Sequence, residues 1–213
     1  MKIGIIGTGK VGTNLGKIWA ENGQDVFLGS SDPSRAKNLL ETFDVKINAG
    51  TYIQAAEFGE IVVLAIPWSA VQETITSLGD LGGKIIVDII NAVAPNLGGL
   101  LFGHTTSAAE KIKEWAVGAT VVKGLGAFDP EFLSEIKERS PKPSLFICGD
   151  DPKAKTKATE LGEIIGFEVV DCGPLKNARL LEPVAMLWIE LAYNQGMGPG
   201  IAFKLLHHRK LPE

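Results

Sequence analysis

The chain has 213 residues, 45% hydrophobic and 22% charged, a balance that buries a core and excludes a disordered protein. A formal net charge of −4, with both signs mixed and no run of five basic residues, argues against nucleic acid as a partner. The 25 glycines, about 12% against an average usage of about 7%, follow no collagen-like period, so the fold needs backbone without a Cβ.

In chain order, Lys2 to Gly7 is a short β-favouring run that enters Gly7-Thr8-Gly9-Lys10-Val11-Gly12, after which Val11, Leu15, Ile18 and Trp19 recur at helical spacing. Asn22-Gly23 closes that helix, and Asp25 to Gly29 begins a second strand. The unit is βαβ, with parallel strands and a right-handed crossover expected. A helix over Pro33 to Phe43, a short strand at Val45 to Ile47, a helix over Tyr52 to Phe58 and a strand over Ile61 to Ile66 follow, and Pro67 stops that strand. Ser69 to Leu78 reads as a helix and Lys84 to Ile90 as a strand buried on both faces.

Residues 92–103 are irregular, and loops of that length in compact domains are functional or mobile. A helix is predicted over Ser107 to Trp115, strands over Ala119 to Lys123 and Ser144 to Cys148, and a charged helical piece over Asp129 to Glu138 between them. An amphipathic helix over Pro152 to Ile165, a last strand over Glu168 to Asp171 and a long helix over Asn177 to Asn194 complete the pattern. They are followed by Gly196-Met197-Gly198-Pro199-Gly200 and a short final helix. Alternating short strands and helices predict a doubly wound, mostly parallel α/β sheet of the Rossmann kind with a small C-terminal helical extension. It is read as a single domain, 1–213. Residues 1–91 form its dinucleotide-binding part, and 92–213 supply the remaining strands, acceptor-side loops and C-terminal helices.

Pro183 to Tyr193, the longest apolar stretch near the C-terminus, is broken by Glu190 and falls short of the roughly 20 residues a bilayer span requires. The glycines after Met1 interrupt any signal-peptide pattern, so no membrane association is expected. Cys148 and Cys172, at predicted strands far apart in sequence, are expected as two reduced thiols in a cytoplasmic protein.

The glycine run is the strongest chemical signal. Its first glycine makes a sharp turn, its second lets backbone approach a pyrophosphate, and its third lets the helix pack on the strand, with the helix N-terminus facing the phosphates. Gly7, Thr8, Gly9, Lys10, Val11 and Gly12 are thus the candidate pyrophosphate cradle, against the alternative of a purely structural turn. The residue ending the second strand chooses between NAD and NADP, because a carboxylate there bonds the ribose hydroxyls. That position falls near Ser30, a hydroxyl, and Asp32 reads as the N-cap of the helix that Pro33 opens. Ser30 and Ser31 with Arg35 and Lys37 favour NADP, the alternative being that the two cations are only a solvated helix face.

These pieces resemble the NADPH-dependent reductases typified by the coenzyme F420:NADP oxidoreductases, whose dinucleotide domain also occurs in the Steap metalloreductases. The resemblance is carried by Lys2 to Gly9, Gly29-Ser30, Ala65-Ile66-Pro67, Val121-Val122-Lys123, and Leu181-Glu182-Pro183 leading to Gly196-Met197-Gly198-Pro199. It implies that Ser30, Ser31 and Arg35 hold the 2′-phosphate and that Ile66, Pro67 and Asn91 lie at the nicotinamide end. It also implies hydride transfer between NADPH and F420 or a flavin-like acceptor. Relatives carry Phe-Asn-Thr after the lysine, where this chain has Gly124-Leu125-Gly126-Ala127-Phe128, so its acceptor pocket is expected to differ.

Hydride transfer between two rings needs positioning more than acid–base groups, and no catalytic residue is assigned. A reductase of a small carbonyl or imine, with Lys123 as proton donor, and a non-catalytic NADP sensor are the competing readings. His104, His207 and His208 have no nucleophile or metal context, and two distant cysteines make no zinc set. Glu182, among apolar neighbours, is expected to pair with Lys176, Arg179 or another cation, or else to face the acceptor. The helix around Met186, Leu187 and Trp188 is apolar nearly all round, which fits the core or a homodimer interface.

Overall fold

The computed structural model describes all residues except 42, 125, 127 and 208–213. Eight strands form the sheet: β1 (Lys2–Ile6), β2 (Asp25–Ser30), β3 (Asn48–Thr51), β4 (Ile61–Leu64), β5 (Ile85–Asp88), β6 (Thr120–Lys123), β7 (Ser144–Gly149) and β8 (Glu168–Asp171). Their order is β3-β2-β1-β4-β5-β6-β7-β8, and every neighbouring pair is parallel except β6 with β7. The mostly parallel Rossmann-type sheet expected from the alternating pattern is therefore present. The chain winds outward one way through β2 and β3 and the other way through β4, β5 and β6, so the direction switches between β1 and β4.

Among the described residues, seven α-helices cover the faces: α1 (Lys10–Glu21), α2 (Pro33–Leu40), α3 (Tyr52–Phe58), α4 (Trp68–Ser77), α5 (Ala108–Trp115), α6 (Pro152–Ile165) and α7 (Ala178–Ile189). Alternation along the central strands feeds two cores. Ile61 and Val63 join the cluster containing Trp19 and Leu161, whereas Val62 and Leu64 join the one containing Val71 and Ile112. Buried Trp19 ties α1 to α6 by donating its indole N–H to the Leu161 carbonyl at 3.1 Å.

Several boundaries differ from the sequence reading. The third strand is Asn48–Thr51 rather than Val45 to Ile47. Val45 and Ile47 pack into the core on the way in, while the less β-favouring Asn-Ala-Gly-Thr segment pairs with Phe27 to Ser30. The helix expected to reach Phe43 ends at Leu40. The piece expected as a helix over Asp129 to Glu138 is two 3₁₀ turns, Phe132–Ser134 and Ile136–Glu138, which bury Phe132, Leu133 and Ile136. The long C-terminal helix divides into α7 and a π-helical turn, Glu190–Asn194.

The final helix is absent over residues 201–207; the rest of that expectation, with His208, lies outside the described residues. This segment spends its backbone on β7 instead: Ser144 donates its N–H to the Phe203 carbonyl at 2.9 Å, and Leu205 donates to Ser144 Oγ at 3.0 Å. Cys148 is buried and Cys172 half-buried, both as free thiols. Burial pushes the Cys148 thiol up to about 12, which leaves it protonated and unreactive at neutral pH. Among the described residues, no helix is long and apolar enough to cross a membrane.

Candidate functional site at the β1/β4 switch point

The turn after β1 is built by steric necessity at two of its three glycines. Gly7 has φ +122°, and a Cβ there would overlap the Ala65 carbonyl. A Cβ on Gly12 would overlap the Gly7 carbonyl and press on the Ala65 side chain, so this glycine lets α1 approach the sheet. Gly9 differs, because a Cβ there meets nothing within 4 Å. Among the described residues, nothing in the protein's own packing asks for glycine at this position. The space over it is free for a ligand to approach the backbone.

Capping makes the same point. Asp32 caps α2 by accepting from the Ser34 and Arg35 N–H groups, Thr51 closes a capping box on α3, Ser107 caps α5 and Asp151 caps α6. Helix α7 continues from a 3₁₀ turn, Leu175–Asn177. By contrast α1, after Gly9, and α4, after Pro67, have no side-chain cap. Both of these helix N-termini border one cavity of about 500 Å³. Their first N–H groups, at the positive end of the helix dipole, suit an anion.

That cavity brings together Gly9, Lys10, Val11, Ile66, Pro67 and Asn91, six of the residues expected at a dinucleotide site, outside the carboxyl ends of β1, β4 and β5. Gly7 and Gly12 stand behind it. Thr8 donates to Ser30 Oγ at 3.2 Å, and Ser30 also accepts the Asp32 N–H at 3.1 Å, which fixes the buried Ser30 hydroxyl at the end of β2. Ser31 and Arg35 are exposed at the β2–α2 junction and do not line the cavity. Asp32 is occupied as an N-cap, as the sequence indicated.

The opposite wall is apolar and aromatic: Leu97, Phe128, Pro130, Trp188, Ile189 and Tyr193. Sequence reasoning missed most of it as a site. Trp188 and Tyr193 meet edge to face at 5.9 Å, and Trp188 anchors itself by donating to the Ile201 carbonyl at 2.8 Å. The irregular segment after β5 supplies Leu97, which has a left-handed backbone (φ +56°). At the rim, Lys10 pairs with Glu131 at 3.1 Å, and that carboxylate raises the Lys10 ammonium pKa. Asn14 donates to the Pro130 carbonyl at 3.0 Å, so the 128–131 segment is strapped to α1.

Below the floor lies a buried ionic cluster that the sequence showed only as loose pieces. Lys123, 2% exposed, pairs with Asp88 at 3.2 Å and with Glu182 at 3.6 Å and donates to the Ile90 carbonyl. Glu182 therefore pairs, as expected, with a cation, and that cation is Lys123 rather than Lys176 or Arg179. Glu182 also accepts the Ala108 and Ala109 N–H groups at 3.0 and 3.2 Å, serving the N-terminus of α5. Burial is the main cause raising the pKa values of Asp88 and Glu182, with Lys123 working against it. Lys123 is engaged by these partners and lines not this cavity but the adjacent small one, which shares Asn91 and Gly126 with it.

A switch-point cavity with two uncapped helix N-termini on one side and an aromatic wall on the other is where sheets of the Rossmann class receive their ligands. Residues 2–92 match the family model described as NADP oxidoreductase coenzyme F420-dependent. The F420-dependent NADP reductase of Methanothermobacter marburgensis is 30% identical over 207 residues, covering 90% of this chain and 92% of that protein. The chain belongs to this family. The metalloreductase STEAP3 of Rattus norvegicus is 27% identical over 186 residues, 87% of this chain but 36% of that longer protein.

Among solved structures, an assigned F420-dependent NADP reductase of Arthrobacter sp. FB24 superposes with a TM-score of 0.88 at 27% identity, covering 97% of this chain and 100% of that one. The imine reductase of Streptomyces aurantiacus, at 21% identity and a TM-score of 0.67, covers 92% of this chain and 64% of that one, and shares the fold alone.

Proposed function

We propose that the chain binds NADP(H) at the switch-point cavity and exchanges hydride with F420 or a flavin-like acceptor seated against the aromatic wall. The observation that carries this is the free space over Gly9 beneath the uncapped α1 N-terminus, a cradle that a Cβ would fill. The N–H groups of Lys10, Val11 and Gly12 hold the pyrophosphate, while Ser30, Ser31 and Arg35 receive the 2′-phosphate. Ile66, Pro67 and Asn91 bound the nicotinamide end. NADP supplies the hydride-carrying carbon when bound. The protein's part is to hold two flat rings face to face and keep water out, which the apolar lining of Phe128, Ile189 and Trp188 suits. The burial of Lys123 between Asp88 and Glu182 argues against the imine-reductase alternative, which needs it as proton donor.

The reading is tested by titrating NADPH and NADH into the protein and following NADPH absorbance with F420, FMN, riboflavin and a cyclic imine in turn. Turnover with F420 or a flavin and tighter binding of NADPH than NADH are expected. Turnover confined to the imine overturns the acceptor assignment, and absence of nucleotide binding overturns the whole reading.

Residues 1–213 act in this reading as one domain. A homodimer is inferred from exposed Leu180, Pro183 and Leu187, which follow one face of α7. A cytoplasmic location agrees with the two free thiols.

A further inference from the structure

We propose that Lys123, held by Asp88 and Glu182, is a positioning residue: it fixes the Ile90 peptide and, through it, the Ile89–Asn91 floor against which the nicotinamide end of the dinucleotide lies. The inference rests on the dinucleotide reading of the cavity. It starts from how completely the backbone of one residue, Ile90, is gripped. Asp88 Oδ1 accepts the Ile90 N–H at 2.8 Å, and Lys123 donates to the Ile90 carbonyl. Asp88 Oδ2 and Lys123 Nζ then close the clamp at 3.2 Å. Both backbone polar groups of Ile90, its N–H and its C=O, are thus held by two residues that are themselves paired, one on β5 and the other on β6.

Glu182 brings in two further elements. Its carboxylate reaches Lys123 from α7 and takes two N–H groups from α5, so β5, β6, α5 and α7 meet at one buried point. The Ile90 peptide sits on the wall of the cavity with Ile89 and Asn91 on either side. Asn91 is steered as well, because its amide donates to the Gly126 carbonyl at 2.6 Å. Its Oδ1 remains a buried acceptor without a partner among the described residues.

Burying one cation with two carboxylates is a poor way to gain stability, because desolvation offsets the attraction, and apolar side chains of the same size hold strands together as well. What the cluster provides is direction. A charged clamp has one geometry, whereas an apolar filling would leave the loop after β5 free to settle in several. A floor misplaced by about 1 Å reduces productive ring contact by up to roughly a hundredfold.

The experiment compares two ligands on the intact protein by calorimetry: NADPH, and adenosine 2′,5′-bisphosphate, which carries the adenylate half and no nicotinamide. In Lys123→Met the dissociation constant for NADPH is expected to rise roughly tenfold or more while that of the bisphosphate stays within about twofold. The emission of the bound dihydronicotinamide is expected to move toward that of free NADPH. Parallel weakening of both ligands, or no change in either, overturns the proposal.

Asp88→Asn keeps an oxygen for the Ile90 N–H but replaces the acceptor facing Lys123 with an NH2 donor, so it breaks the clamp on the Lys123 side and is expected to repeat the selective loss. If Lys123→Met does not fold, Asp88→Asn and Glu182→Gln decide by the same two ligands, and failure of all three to fold makes the cluster a structural knot and overturns the proposal. A wild-type protein that binds neither ligand overturns the dinucleotide reading itself, a result the variants cannot mimic.

Discussion

Gly9 and Gly12 lie three residues apart in one turn, yet the structure uses them for different reasons, and that separates binding from folding. A Cβ on Gly9 has open space, so Gly9→Val is expected to leave the thermal midpoint unchanged and to abolish NADPH binding in calorimetry. Gly12→Ala places a Cβ onto the Gly7 carbonyl and is expected to destabilise the fold by about 1–3 kcal/mol in denaturant unfolding. A Gly9→Val protein that binds NADPH normally removes the cofactor site from this turn.

At the β2–α2 junction the division runs between Asp32 and Arg35. Asp32 is spent on the Ser34 and Arg35 N–H groups, so Asp32→Ala is expected to cost about 1 kcal/mol of stability and leave the preference between NADPH and NADH as it was. Arg35 is exposed at this junction, and under the proposed binding mode Arg35→Ala is expected to weaken NADPH about tenfold, the effect of losing ~1.5 kcal/mol from one charge-assisted hydrogen bond, with NADH unaffected.

At the scale of elements, helix starts sort structure from site. The N-terminus of α5 is satisfied twice over: Ser107 Oγ accepts the Glu110 N–H at 3.2 Å and donates to Glu110 Oε2 at 2.8 Å, while Glu182 takes the two preceding N–H groups. A helix start so fully occupied cannot bind a ligand, and Ser107→Ala is expected to cost about 1 kcal/mol in unfolding without altering nucleotide affinity. Helices α1 and α4 lack side-chain caps and bound the cavity, so their first N–H groups stay open toward it. The aromatic wall comes from elements remote in sequence, a 3₁₀-rich segment after β6 and the end of α7. No local motif could have announced it.

At the scale of the whole molecule, the surface ion pairs and the buried cluster respond to acid with opposite sign. Arg179 grips Glu110 at 2.6 and 2.9 Å, and that guanidinium holds the carboxyl below its ordinary value of 4.5. The folded state therefore takes up this proton at lower pH than the unfolded chain, so the pair stabilises above that value and ceases to do so as pH falls through the folded pKa. The stability gap between wild type and Glu110→Gln is expected to be full at neutral pH and to close in acid, read from urea midpoints across pH. Asp88 and Glu182, raised by burial, act in the other direction: their ionisation opposes folding as pH rises. Leu187, exposed on α7, tests the inferred dimer, since Leu187→Glu is expected to halve the mass seen by light scattering from about twice 22.7 kDa.

The sequence by itself determined the alternating α/β pattern, the glycine turn and the N-cap role of Asp32. Each of these depends on neighbours within a few residues, where period, turn chemistry and capping are local physics. Even there, β3 was displaced from Val45–Ile47 to Asn48–Thr51, because a strand is defined by pairing with a partner and apolar residues mark only burial. The sequence placed Lys123 and Glu182 as isolated oddities. Only the tertiary structure joined them to Asp88 and to the Ile90 peptide, since an ionic cluster drawn from β5, β6 and α7 has no spacing to read. The cavity was decided in the same way. Its glycine side is one contiguous motif, while its aromatic side exists because the 128–130 segment and the end of α7 with the turn after it converge on the switch point, a tertiary arrangement that local sequence does not encode.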